Sequence, residues 1–179
     1  MKKHASILRL VISGLCLALA YVLPFLTFSN PQLGSMLLLM HLPVFLCGFL
    51  CGWHWGLGVG FISPLLRSLT IGAPVFPNMA VSMACELATY GLVSGLMHKI
   101  LPRKKPFIYV SLLISMVAGR IVFGIVMAIF MGVNGKPYGF EAFIASAITG
   151  AIPGIIIQIV LVPVLVMVLD NKRVLNLNE

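Results

Sequence analysis

Apolar residues run along this chain in long blocks, without the polar face that a surface helix of a soluble protein would carry. Polar and helix-breaking residues mark where each block stops. The first block, residues 5–27, ends at "SNPQ" (29–32). The second, 34–52, runs into "GWHWG" (52–56), which reads as a tight corner. The third, 57–71, ends at "GAPVFPN", where a glycine and two prolines cannot continue a helix. The fourth, 79–100, meets the charged, proline-bounded loop "LPRKKP". The fifth, 107–131, gives way to "GVNGKPYGFE", and the sixth, 147–169, to "DNKR". Residues 140–147 read as a short re-entrant or interfacial piece. A helix crosses a bilayer core with about 20 mostly apolar residues. The pattern therefore predicts an all-α integral membrane protein of six transmembrane helices, with residues 1–179 forming a single membrane domain. The first block reads as a span and not as a cleaved signal, because its apolar run is long and no small-residue cleavage site follows it.

Composition sharpens this picture. Hydrophobic residues make up 60% of the chain and charged residues 9%, against about 25% charged in soluble domains. A soluble fold needs more polar surface than that. The net charge of +8 is lopsided. With six spans, Lys2, Lys3, Arg9, Lys99, Arg103, Lys104, Lys105, Lys172 and Arg173 share one side, and Lys136 alone lies in the opposite loops. The positive-inside rule places both termini in the cytoplasm. Basic residues scattered over short loops argue against nucleic acid as a partner. Trp53 and Trp55 fit interfacial anchors. Cys16, Cys47, Cys51 and Cys85 lie within spans and read as small apolar packing residues. Cys47, Cys51 and His54 have a spacing that would suit a soft metal, but no fourth ligand is in sight, so no metal or cofactor is expected.

Candidate chemistry is confined to a few costly groups. No "GxxxxGK[ST]", "HExxH" or "GxSxG" occurs, so neither ATP hydrolysis nor another enzymatic activity is expected of the chain itself. Glu86, Arg120, Arg67, His41, Asn78, Gln158 and Tyr90 lie in or near the spans, where ionisable groups cost a few kcal/mol each and mark functional sites. With a rise of about 1.5 Å per residue, Glu86 and His41 lie about 10 Å, and Arg120 and Gln158 about 16 Å, below the outer ends of their spans. They suggest a pocket open to the exterior, with Glu86 paired to Arg120. Structural roles compete. Arg67 suits snorkelling to the interface, His41 could donate to a carbonyl freed by Pro43, and Tyr90 suits the core. Small residues recur at four-residue intervals in "FLCGFLCG" (Gly48, Gly52, then Gly56 and Gly60), at Gly14 and Ala18, and at Cys16 and Ala20. Such stripes let helices approach closely, within the fold or against another membrane protein.

Two stretches, "MHLPVFLCGFLCGWHWGLGVGFISPLLRSLTIGAPVFP" and "MAVSMACELATYGLVSGLMHK", resemble the S components of energy-coupling factor (ECF) transporters, and the resemblance extends over nearly the whole chain. Among them the chain is most similar to the pantothenate-type group. The resemblance implies a six-helix bundle in a bacterial plasma membrane that binds a vitamin from outside. It implies docking on a transmembrane T component that carries two cytoplasmic ATPase subunits. It implies an A-x-x-x-A-type docking motif on the first helix, here Gly14 and Ala18 or Cys16 and Ala20. It also places Glu86, Tyr90, Arg120 and Gln158 on the elements expected to line the pocket. The "SNPQ", "TIGAPVFPN" and "VNGKPYG" loops would form its lid.

Other vitamins or precursors remain open: pyridoxine, hydroxymethylpyrimidine, riboflavin or folate. A stand-alone proton-coupled transporter using Glu86 is the competing class, although residues 1–90 and 91–179 show no repeat of the kind such transporters carry. A structural or assembly factor is a third. Orientation is open to direct measurement. A cysteine placed in "PRKK" should react with a membrane-impermeant thiol reagent only from the cytoplasmic side, and labelling from outside would invert the topology.

Overall fold

In lipid a chain must satisfy every N–H and C=O within itself, so uninterrupted apolar blocks become helices. The computed structural model describes residues 2–27, 37–102, 104–135, 139 and 152–170. Its helices are α1 (Lys2–Val22, extended by a 3-10 turn at Leu23–Thr27), α2 (His41–Cys51), α3 (Trp53–Ile71), α4 (Asn78–Ile100), α5 (Lys105–Val133) and α6 (Ile152–Asp170). No strand occurs among the described residues. Four segments are long and apolar enough to cross a membrane: Ser6–Leu26, Asn78–Ile100, Lys105–Val133 and Ile152–Leu169. The "SNPQ" loop, the 140–147 piece, residues 147–151 of the sixth block and residues 136–138 of "VNGKPYG" lie outside the described residues.

Two expectations need correction. The second block is broken at residues 38–40, and the helix that follows, from His41, has 11 residues and reaches about 16 Å, roughly half a bilayer core. Residues 38–40 form a turn instead, with Leu38 at φ 50°, a left-handed conformation uncommon outside glycine. The Leu38 carbonyl accepts from the His41 N–H at 3.0 Å and from Gln158 Nε2 at 3.4 Å. Irregular backbone is tolerated at membrane depth when protein groups satisfy it in this way. The "GWHWG" corner is also tighter than expected. Gly52 alone breaks the helix, at φ 96°, and Trp53 already begins α3. The third block stops as expected, on a left-handed Gly72 whose N–H bonds the Ser68 carbonyl.

Helix α4 is the hub, packed on α2, α3 and α5. Helix α1 lies against α2 and α3, and α6 rests more lightly on α2 and α5. The glycine stripe sets the closeness of the hub. A Cβ added at Gly91 of α4 would collide with the Gly56 backbone of α3, one at Gly56 would come within 2.6 Å of the Gly91 carbonyl oxygen, and one at Gly60 would strike the Leu87 carbonyl. A Cβ on Gly48 would likewise come within 2.7 Å of the Gly91 oxygen. This stripe is therefore spent on packing within the chain and is not free for a partner. Two buried hydroxyls close on their own helices: Ser82 donates to the Asn78 carbonyl at 2.7 Å and Ser111 to that of Phe107 at 2.8 Å. The outer surface is apolar, as lipid requires. Ile121, Ile125 and Ile129, one turn apart on α5, are 53%, 56% and 60% exposed.

The two small-residue pairs on α1 separate by face. Cys16 and Ala20 are buried in the main core, so the expectation that they dock a partner is corrected. Gly14 and Ala18 face outward, and a Cβ on Gly14 would meet nothing within 4 Å. These opposite environments set a stability test. Gly91→Val should destabilise the detergent-purified protein by at least the ~1–3 kcal/mol typical of overpacking, and Gly14→Val should leave it unchanged. Fluorescence-monitored thermal unfolding reads both, and equal midpoints would contradict the assignment of the stripe.

Candidate functional site: a buried carboxylate cluster

Glu86 and Tyr90 lie four residues apart on α4, so their side chains meet on one face. The Tyr90 hydroxyl donates to Glu86 Oε1 at 2.6 Å. Arg120 reaches across from α5 and sets Nη1 2.9 Å from the same oxygen, within the length of a charge-assisted hydrogen bond. The third neighbour is His41, the first residue of α2. Its Nε2 is 3.9 Å from Glu86 Oε1, beyond hydrogen-bonding distance. The His41 ring lies 5.5 Å from that of Tyr90, and the Phe45 ring 4.8 Å on.

Burial makes this geometry consequential. Glu86, His41, Tyr90 and Gln158 are all almost fully buried. A lone carboxylate there would be very costly, and the guanidinium and phenol offset that cost. The pair is not symmetric in exposure. The Glu86 side chain is 2% exposed and that of Arg120 15%, so the guanidinium is the more exposed member of the pair. A guanidinium has five N–H donors in a planar fork, which leaves capacity beyond the bond to Glu86. Both His41 ring nitrogens are buried without a hydrogen-bond partner among the described residues. The proposed bond from His41 to a carbonyl near Pro43 is therefore absent, and the imidazole faces the cluster instead.

The remaining candidates fall elsewhere. Gln158 ties α6 to the Leu38 turn, next to His41. Asn78 opens α4 two turns before Glu86, and its carbonyl accepts from Ser82. Arg67 neither snorkels nor joins the cluster. It is buried, donates to the Tyr21 carbonyl at 3.1 Å, and lies over the Phe25 ring at 5.0 Å. A cation beside the last carbonyls of α1 complements that helix's dipole. The metal-like spacing does not produce a site either. Cys47 packs beside Cys16 and Cys51, His54 is exposed, and no group of three or more metal-ligating side chains converges among the described residues.

Sequence reasoning missed two contributors. A Cβ at Gly119 would collide with the Tyr90 ring, so this glycine lets α5 close onto the tyrosine one residue before Arg120. A glycine beside a buried arginine was the available signal. Leu38 gave none. The ion pair itself generates a test. Glu86→Leu and Arg120→Leu should each cost about 3–5 kcal/mol by stranding the partner, and the double variant should recover much of that loss. Thermal unfolding of the three proteins measures the coupling, and simple additivity would show that the two charges do not act as a pair.

Comparison with known proteins returned no match among curated proteins and none among solved structures. A family model described as the ECF transporter, substrate-specific component, matches residues 8–166. That span takes in all of α2 to α5, most of α1 and α6, and every member of the cluster. The chain belongs to the family of substrate-specific components of ECF transporters.

Proposed function

We propose that this chain captures a vitamin from outside the cell at the cluster around Glu86 and Arg120. It then passes the vitamin inward through a transmembrane T component driven by two ATPase subunits. Family membership supports a substrate-binding subunit of an ECF transporter. The observation that carries the site is a buried polar cluster in which one nitrogen of the Arg120 fork meets Glu86 and both ring nitrogens of His41 lack a hydrogen-bond partner among the described residues. An unpaired buried polar group is costly, and a polar solute would remove that cost. Pantothenate is the best substrate: its carboxylate would share the Arg120 fork with Glu86, and its amide and hydroxyls would meet His41, Gln158 or Asn78.

The bundle supports the proposed orientation. The start of α1, the α2–α3 corner and the end of α4 line one common cavity, so they lie at one end of the molecule. That is the end rich in basic residues, which the positive-inside rule assigns to the cytoplasm. The outward pair Gly14 and Ala18 is the surface proposed to meet the T component.

Native mass spectrometry of the purified protein identifies the vitamin it carries, and calorimetry with that vitamin tests the site. Arg120→Gln should weaken binding of an anionic vitamin by about tenfold or more, as expected for loss of a charge-assisted bond. Ala18→Trp should bind as the unaltered protein does, yet support no uptake in cells that also make the T component and ATPases. Full affinity in a folded Arg120→Gln variant would remove the arginine from the site. Joint loss of binding and uptake in Ala18→Trp would make the outward stripe a packing face.

A further inference from the structure

At the basic end of the bundle lies a cavity of about 140 Å³, bounded by the start of α1, the α2–α3 corner and the end of α4. Its ionisable lining includes Arg9, His54 and Lys99 and no acidic side chain. Cations gathered without a counter-charge repel one another, and among the described residues no acidic side chain lines the cavity. Two further features call for an acceptor. Arg9 Nε is buried with no hydrogen-bond partner among the described residues. Gly52 and Trp53, at the N-terminus of α3, line the same cavity, and no side chain caps that helix. The N–H groups of its first turn have no partner within the helix and carry the positive end of its dipole. Arginine, lysine and uncapped helix amides together form a site for a tetrahedral oxyanion.

The surroundings narrow the source. Leu8, Leu57 and Ile100 are exposed apolar residues within a turn of Arg9, Trp53 and Lys99 respectively. A ligand seated here would have acceptor oxygens in the cavity and apolar surface beside it. We propose that the cavity binds the phosphate group of an anionic phospholipid. Basic pockets between transmembrane helices are suited to such headgroups. Free phosphate offers the same oxyanion chemistry, and the experiment separates the two. The inference is independent of which vitamin the chain carries.

Trp53 lines the cavity, so tryptophan fluorescence in uncharged detergent reports on it. Three probes are titrated: short-chain phosphatidylglycerol, short-chain phosphatidylcholine and inorganic phosphate. Phosphatidylglycerol should give a saturable change and phosphatidylcholine none. Arg9→Gln and Lys99→Gln should each weaken the response about fivefold or more, in line with the contribution of one basic residue to anionic lipid binding. Lys105→Gln, an exposed lysine in the first turn of α5 that does not line the cavity, should leave it unchanged. Inorganic phosphate that saturates the same signal and displaces phosphatidylglycerol would confirm the oxyanion site and assign it to free phosphate as well. Lys99 is exposed, so its variant keeps the test valid even if Arg9→Gln disturbs packing. Equal response to the two lipids, full affinity in Lys99→Gln, or equal losses in Lys99→Gln and Lys105→Gln would overturn the proposal.

Discussion

The centre of this molecule is organised by one carboxylate oxygen. Glu86 Oε1 accepts from Tyr90 on its own helix and from Arg120 on the next. In water such a pair contributes little, because both ions are well solvated apart. In the interior of a membrane bundle the desolvation cost is large, so each partner must be present for the other to be tolerated. That requirement fixes the rotation of α4 about its axis, since Glu86 and Tyr90 must both face α5. It also fixes the depth of α5, since Arg120 must reach the same oxygen. Packing then follows from placement. Gly119 must lack a side chain for the tyrosine ring to fit, and Phe45 and His41 fill the other side of that ring.

Close glycine contacts make the second constraint. Lipid tails are as apolar as leucine, so helices in a membrane gain little from burying apolar surface and much from close contact. The Gly56–Gly91 approach, with Gly48 and Gly60 on either side, brings α2 and α3 onto α4 at backbone distance. The short α2 depends on this. Eleven residues cannot cross the bilayer alone, but the helix is held at one end by Gly52 and at the other by the Leu38 turn, where Gln158 satisfies the freed carbonyl. The turn in turn places His41 at the mouth of α2, beside the carboxylate.

Much of this was legible in the sequence, for physical reasons that can be named. Apolar blocks with proline and glycine punctuation located the helices, because in lipid few other structures are permitted. Glu86 and Arg120 could be paired in advance because deep charges are few and cannot stand alone. The break before His41 was not legible. Residues 33–42 read "LGSMLLLMHL", with no proline or polar cluster after Gly34 to end a helix. The interruption is stabilised from α6, more than a hundred residues away. Spacing also failed to choose between Gly14–Ala18 and Cys16–Ala20. Both are small pairs four residues apart, and only the packing of α1 against α2 and α3 buries one and leaves the other outward. The glycine stripe was visible, but whether its partner lay within the chain was not.

The two constraints meet at the seam between α4 and α5. Glycine contacts hold α2 and α3 to α4 backbone against backbone, and a backbone contact has no rotamer to change. Arg120 holds α5 to α4 through a long side chain whose planar fork carries five donors, one nitrogen of which meets Glu86. A ligand that took one of those donors would adjust this second connection and leave the first as it is. On the proposed function, the response to vitamin binding therefore belongs to α5 and to α6, which rests lightly on α5 and α2. The outward Gly14–Ala18 face of α1 sits on the rigid side. A docking surface there would keep its shape whether or not the site is filled, and signalling of occupancy would fall to the other half of the bundle.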